Sequence, residues 1–178
     1  MNVINTAQLD LFSHPAVIAG ALMVAEAGGA YRAATEGDVL KAAEAALRAK
    51  LNDGPLLDHS GSVSDFLRMR MGALEHEEFA VLYLDTKRRF LTLETLFRGT
   101  LACASVYPRE IVKRALQVNA AAVVLAHNHP SGDVTPSRAD QALTQTLKAA
   151  LALVDVCVLD HVVVGATETL SMAKHGLV

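Results

Sequence analysis

The sequence predicts an α+β domain in three α/β/α layers, a mixed sheet flanked by helices, preceded by a small helical segment. Three observations lead there. Apolar runs of strand length crowd the chain after Phe79, helical stretches interrupt them, and the residues before about 60 read as helical, the stretch to Leu51 being rich in Ala, Leu, Lys and Glu. Strands alternating with helices must cover an apolar sheet face, and layers are the solution. The 178 residues allow one substantial core with a small appendage. Residues 1–61 are read as the N-terminal helical segment and 62–178 as the main domain. Hydrophobic residues make up 52% of the chain, which places it among globular rather than disordered proteins.

The elements follow in order. Helices are expected over Pro15–Glu26 and from Thr35 or Asp38 to Leu51, with Asn52-Asp53-Gly54-Pro55 as the stop. After a loop through Leu56–Ser62, Ser62 or Ser64 is placed to cap a short helix over Asp65–Met71. Phe79–Leu84 and Phe90–Phe97 flank Asp85-Thr86-Lys87-Arg88-Arg89 as a β-hairpin, and Leu101–Val106 reads as a third strand. Pro108 opens a helix over Arg109–Val118, with Ile111, Val112, Ala115 and Leu116 on its core face. Ala121–Ala126 reads as a buried strand, followed after Pro136 by a helix over Ser137–Val154. Strands over Val156–Leu159 and His161–Val164 close the sheet, and Ser171–Gly176 forms a terminal helical turn.

The chemistry concentrates in His127-Asn128-His129-Pro130-Ser131-Gly132-Asp133, with Ser137 and Asp140 beyond it. On a strand, residues i and i+2 share a face, so His127 and His129 are co-facial and Asn128 points away. Asp140 lies one turn beyond Ser137 on the following helix and shares its face. Two histidines and one aspartate form a three-ligand zinc set whose fourth tetrahedral position is left for water. Asp133, four residues after His129, suggests a cupin-like alternative, but cupins prefer Glu there and an all-β chain. Asp133 is read as a turn residue. Asp160-His161 is either a satisfied structural pair or an outer carboxylate or polar cap beside the metal.

The spacing His-x-His, seven residues, Ser, two residues, Asp resembles the JAMM (MPN+) metalloprotease signature. The longer string resembles the RadC-like branch of that family. Leu84-Asp85, Gly99-Thr100, Ser105-Val106-Tyr107-Pro108-Arg109-Glu110 and Asp160-His161-Val162-Val163-Val164-Gly165 extend the resemblance over roughly Ser62 to Val178. It implies a layout similar to cytidine deaminases and a zinc-dependent peptidase or isopeptidase, in which His127, His129 and Asp140 hold Zn2+. Relatives in the wider family cleave isopeptide bonds of ubiquitin-like proteins. The resemblance also implies a catalytic glutamate in Glu75-His76-Glu77-Glu78-Phe79. Glu77, two before the aromatic, is the expected general acid/base, with Glu78 as the alternative; strand alternation lets only one of them face the metal. Ser137 is expected to cap its helix and, by resemblance, to stabilise an oxyanion.

A rival reading is a RadC-like binding module associated with DNA repair or mobile elements, in which the metal is not catalytic. Against direct nucleic-acid binding stand a net charge of −3 from 16 basic and 19 acidic residues and the absence of any basic stripe. Lys87-Arg88-Arg89 reads as a solvated turn. Full-length RadC proteins usually carry a segment like a helix-hairpin-helix, and residues 1–61 show no such pattern. The resemblance implies a protein or peptide substrate, and no membrane and a cytoplasmic setting are expected. The longest N-terminal apolar run, Pro15 to Ala25, follows Asp10 without a basic cluster, unlike a secretory signal. Cys103 and Cys157, the only cysteines, exclude a disulfide framework and are read as small buried hydrophobes.

Overall fold

The computed structural model describes residues 16–18, 21–52, 60–99 and 106–178. The chain divides into two compact units between Ala46 and Leu47. In the first, β1 (Ala16–Ile18), β2 (Ala21–Ala25) and β3 (Tyr31–Ala33) form an antiparallel sheet in that order. Where a helix over Pro15–Glu26 is expected, Ala16–Ile18 and Ala21–Ala25 are thus strands. Its apolar run has no helical stripe, and Gly28 and Gly29, at φ of 131° and 83°, form the turn between β2 and β3. α1 (Glu36–Asn52) follows as expected, starting from Thr35. Thr35 and Asp38 cap it reciprocally, Asp38 N–H donating to Thr35 Oγ1 at 3.3 Å and Thr35 N–H to Asp38 Oδ2 at 2.8 Å. Arg32 donates two further bonds to Asp38, and these hold its carboxyl well below the usual carboxylate range.

The second unit is a mixed five-stranded sheet of order β5-β4-β6-β7-β8, formed by β4 (Glu77–Leu84), β5 (Phe90–Gly99), β6 (Ala122–Asn128), β7 (Cys157–Val164) and β8 (Thr169–Ser171). All its pairings are antiparallel except β6 with β7, and α4 (Arg138–Ala152) runs between those two in the sequence. α2 (Ser60–Met71) and α3 (Pro108–Gln117) complete the helices.

Alternation on the central strands builds two cores. Ala80, Leu82 and Leu84 of β4 with Ala122, Val124 and Ala126 of β6 meet Val63, Phe66 and Leu67 of α2 on one face. Phe79, Val81 and Tyr83 with Val123 and Leu125 meet Ile111 and Ala115 of α3 and Leu147 and Leu151 of α4 on the other. Every residue of β6 is buried, which explains its unbroken apolar run. The α+β class with helices on both sheet faces holds.

Several details differ from the sequence reading. α2 begins at Ser60, inside the expected loop, so Ser62 and Ser64 lie within the helix and do not cap it. Leu116, expected on the core face of α3, is exposed. Cys157–Leu159 and His161–Val164, from the two expected strands, are parts of one strand, β7, whose register with β6 shifts so that Val123 pairs Val158 and Val124 pairs Asp160. Asp160 does not end the strand because its carboxylate accepts bonds from His161 N–H, Ser171 Oγ and Ala173 N–H. Ser171–Gly176 contains the end of β8 and a short 3-10 turn over Ala173–His175. Cys157 is exposed, not buried. The expected strand over Leu101–Val106 and Cys103 fall outside the described residues, apart from Val106, which leads into α3.

Candidate metal centre

β6 delivers His127 on the face that carries Val123 and Leu125, so its ring enters the layer between the sheet and α4. β6 ends at Asn128. His129 nevertheless continues the pairing, its N–H donating to Val164 O at 2.9 Å. The two imidazoles are therefore co-facial as expected, with ring centroids 4.7 Å apart. Pro130–Pro136 then reverses the chain, and α4 begins on a cap at Ser137. Ser137 Oγ accepts from Asp140 N–H at 3.1 Å, while Ser137 N–H and Oγ–H both donate to Asp140 Oδ2 at 2.7 Å. This capping box fixes Asp140 in the first turn of α4, facing the histidines.

The donor atoms of His127, His129 and Asp140 lie within 4.8 Å of one another. His127 Nε2 is 2.9 Å from His129 Nε2 and 3.4 Å from Asp140 Oδ1; His129 Nε2 is 3.8 Å from Asp140 Oδ2. A tetrahedral zinc with bonds near 2.1 Å separates its ligands by about 3.4 Å, and these spacings bracket that value. His129 Nδ1 faces the carbonyl oxygen of Asp133 at 2.5 Å. A carbonyl only accepts, so Nδ1 carries the proton and Nε2 presents a lone pair toward His127 and Asp140. Nitrogen lone pairs and a carboxylate converging at such distances suit a cation. Among the described residues, these three form a group that could hold a metal ion.

The electrostatics agree. His127 and Asp140 are fully or almost fully buried, while His129 is partly open and gives the site its access. Burial pushes the Asp140 carboxyl up, but hydrogen bonding and charge from His127, with the Ser137 hydroxyl and amide, outweigh it and hold the group well below the usual carboxylate range. Asp133 is a turn residue, its carboxylate accepting from Thr135 N–H at 2.9 Å.

Glu77 and Glu78 separate as alternation requires. Phe79 pairs with His127 across β4 and β6, and Glu77, two residues earlier, falls on the same sheet face. Glu78 falls on the opposite face. It bonds to His76 Nε2 at 2.9 Å, accepts from Thr95 Oγ1 at 3.2 Å and lies 3.5 Å from Arg98. Asn128 does point away from the histidine face, and its buried side chain has a task there: Oδ1 accepts from Glu78 N–H at 2.7 Å and Nδ2 donates to His76 O at 3.0 Å. It thereby pins the entrance of β4, and Glu77 with it, against β6.

Behind the site lies His161, fully buried on β7, with Nε2 2.8 Å from His127 Nδ1 and Nδ1 2.6 Å from Thr144 Oγ1. Burial, reinforced by the charge of His127, lowers its pKa to about 3, so the ring is neutral near pH 7. Sequence reasoning left His161 between a structural pair and an outer partner of the metal, and it gave Thr144 no role.

The comparisons with known proteins follow the same residues. A family model described as RadC-like JAB domain matches residues 57–177. The chain is 60% identical to a UPF0758 protein of Polaromonas sp. strain JS666 over 139 residues, covering 78% of this chain and 62% of that one. It is 58% identical to a UPF0758 protein of Methylibium petroleiphilum, covering 78% and 63%. A UPF0758 protein of Variovorax paradoxus is 47% identical over 99% of this chain and 81% of its own length. The chain thus spans less than two thirds of the first two relatives and most of the third. No helix among the described residues is long and apolar enough to cross a membrane. With the matched region holding both histidines, Asp140 and the strands that position them, the chain belongs to the RadC-like JAB domain family.

Proposed function

We propose that this chain is a zinc-dependent hydrolase of the JAMM type, a peptidase or isopeptidase acting on a protein or peptide substrate. One observation carries the reading: two imidazoles and a carboxylate converge at one partly open point as a three-donor group. Structural zinc sites usually close with four protein ligands, whereas catalytic sites use three and keep a position for water or substrate. His127, His129 and Asp140 would hold a zinc ion, which would supply Lewis-acid polarisation of the scissile carbonyl and acidify the attacking water.

The chain's own residues do the rest. Glu77, on the sheet face shared with Phe79 and His127, takes a proton from the attacking water and returns it to the leaving amine. Asn128 holds the backbone of that glutamate in place through Glu78 N–H and His76 O. Ser137 Oγ, which caps α4 and donates to Asp140 Oδ2, turns its hydroxyl to the developing oxyanion. The expected compartment is the cytoplasm.

The test combines metal analysis of the purified chain with hydrolysis of peptide and isopeptide-linked substrates by wild type, Glu77→Gln and His127→Ala. Stoichiometric zinc, zinc-dependent cleavage and its loss in both variants are expected. Stoichiometric zinc with no cleavage of any substrate, and salt-sensitive DNA binding in its place, favours the binding-module reading instead.

A further inference from the structure

We propose that His161, together with Thr144, is a positioning residue for the metal centre: the pair sets which nitrogen of His127 carries the proton and so aims the other nitrogen's lone pair at the metal position. The inference rests on the metal reading above and adds the device that prepares one of its ligands.

The argument starts at the far end of the chain of contacts. Thr144 Oγ1 lies 2.6 Å from the carbonyl oxygen of Asp140 and 2.6 Å from His161 Nδ1. Two oxygens at that distance need a hydrogen between them, and a carbonyl has none to give. The single hydroxyl proton therefore goes to Asp140 O. Toward His161 the hydroxyl can only accept, so Nδ1 of His161 is the donor. A neutral imidazole with Nδ1 protonated has an acceptor at Nε2. That acceptor stands 2.8 Å from His127 Nδ1, which must then donate. With its proton at Nδ1, a neutral His127 keeps its lone pair on Nε2, the atom that faces His129 and Asp140.

The relay reaches further than one tautomer. It runs His127 to His161 to Thr144 to the main chain of Asp140, so a ligand on β6 and a ligand on α4 are tied to each other on the side away from the metal. Its members are sealed: His127, His161 and Thr144 have no solvent exposure. Phe79 packs edge-on against the His161 ring at 5.6 Å, and Met172 Sδ lies 3.9 Å from Thr144 Oγ1. Bulk water therefore does not contact the bond from His127. On the other histidine the Asp133 carbonyl does the same task with main chain alone. Outer partners of this kind typically change metal affinity by about 10- to 100-fold when removed.

The experiment has one arm without mutation and one with it. Nitrogen-15 NMR of the histidine-labelled full chain, with and without zinc, is expected to find the proton on Nδ1 of both His161 and His127. Zinc affinity is then measured by competition with a chromophoric chelator in wild type, His161→Phe, Thr144→Val, Thr144→Ser and His127→Ala. His161→Phe is expected to weaken zinc binding by about 10- to 100-fold. Thr144→Val is expected to weaken it less, and Thr144→Ser, which keeps the hydroxyl, to retain it. Thr144→Val removes one hydroxyl at nearly constant shape, so it serves if the larger replacement fails to fold. A proton found on His161 Nε2, or wild-type affinity in folded His161→Phe and Thr144→Val, overturns the inference while the metal reading stands. Absence of zinc affinity in wild type, with His127→Ala indistinguishable from it, overturns both.

Discussion

Gly165 sits against Gly132 so closely that a Cβ on it would lie 2.9 Å from the Gly132 carbonyl oxygen, with Val134 Cγ1 at 3.0 Å. Gly132 and Val134 belong to the turn whose Asp133 carbonyl orients His129, so the space beside Gly165 is where that turn rests on the end of β7. Gly165→Ala is expected to push the turn outward. Stability should fall by about 1–3 kcal/mol, the usual cost of overpacking, and zinc affinity should fall with it. Gly61→Ala, at a glycine with nothing within 4 Å, is the control and should leave affinity alone. Denaturant unfolding and zinc competition on both variants check this; equal behaviour of the two removes the turn's claimed role.

Ser137 serves the fold and, in the proposed mechanism, the reaction, and one variant separates the two contributions. Ser137→Ala deletes both hydroxyl bonds of the capping box, which should cost about 0.5–2 kcal/mol of stability. Ser137→Thr keeps the hydroxyl and should recover most of that. If the hydroxyl also steadies an oxyanion, Ser137→Ala loses about 100-fold or more in kcat beyond what zinc occupancy explains. Full kcat in zinc-saturated Ser137→Ala confines the residue to capping.

Local chemistry was legible in the sequence and long-range pairing was not. His127, His129, Ser137 and Asp140 lie within fourteen residues, and a strand, a turn and a capped helix are enough to bring them together. The unbroken apolar run of β6 was readable because burial on both faces leaves no alternative. Pro15–Glu26 misled because a short apolar run carries no period, and the informative signal was the Gly28-Gly29 turn after it. Asp160 resembled a strand break because its three bonds come from residues 161, 171 and 173. His161 reaches His127 only through the parallel pairing of β6 and β7, across 34 residues, and no local pattern encodes that.

The choice between the two glutamates turns on which sheet face each occupies. Glu77→Gln should leave zinc binding intact and lower kcat by about 100- to 10,000-fold, the range for a lost general acid/base. Glu78→Gln, on the face with Thr95 and Ala80, should lower it far less. Kinetics on zinc-saturated proteins decide the matter. Loss of activity in Glu78→Gln with retention in Glu77→Gln reverses the assignment.

Stability of the zinc-free chain should carry the signature of His161. Its ordinary pKa is 6.5, and burial, aided by the charge of His127, lowers it to about 3 in the folded state. Between those values the unfolded chain binds a proton that the folded chain refuses, so stability falls as pH falls. The contribution is complete above about 6.5 and gone by about 3. Above pH 5 most carboxylates are already ionised in both states, which leaves the histidines as the main source of slope there. Urea unfolding midpoints of the zinc-free chain from pH 7 to pH 5 should therefore drop, and those of His161→Phe should drop less steeply, by up to one proton's worth of slope. Parallel slopes for the two proteins would mean that His161 accepts a proton in the folded state, and its Nε2 could not then accept the bond from His127.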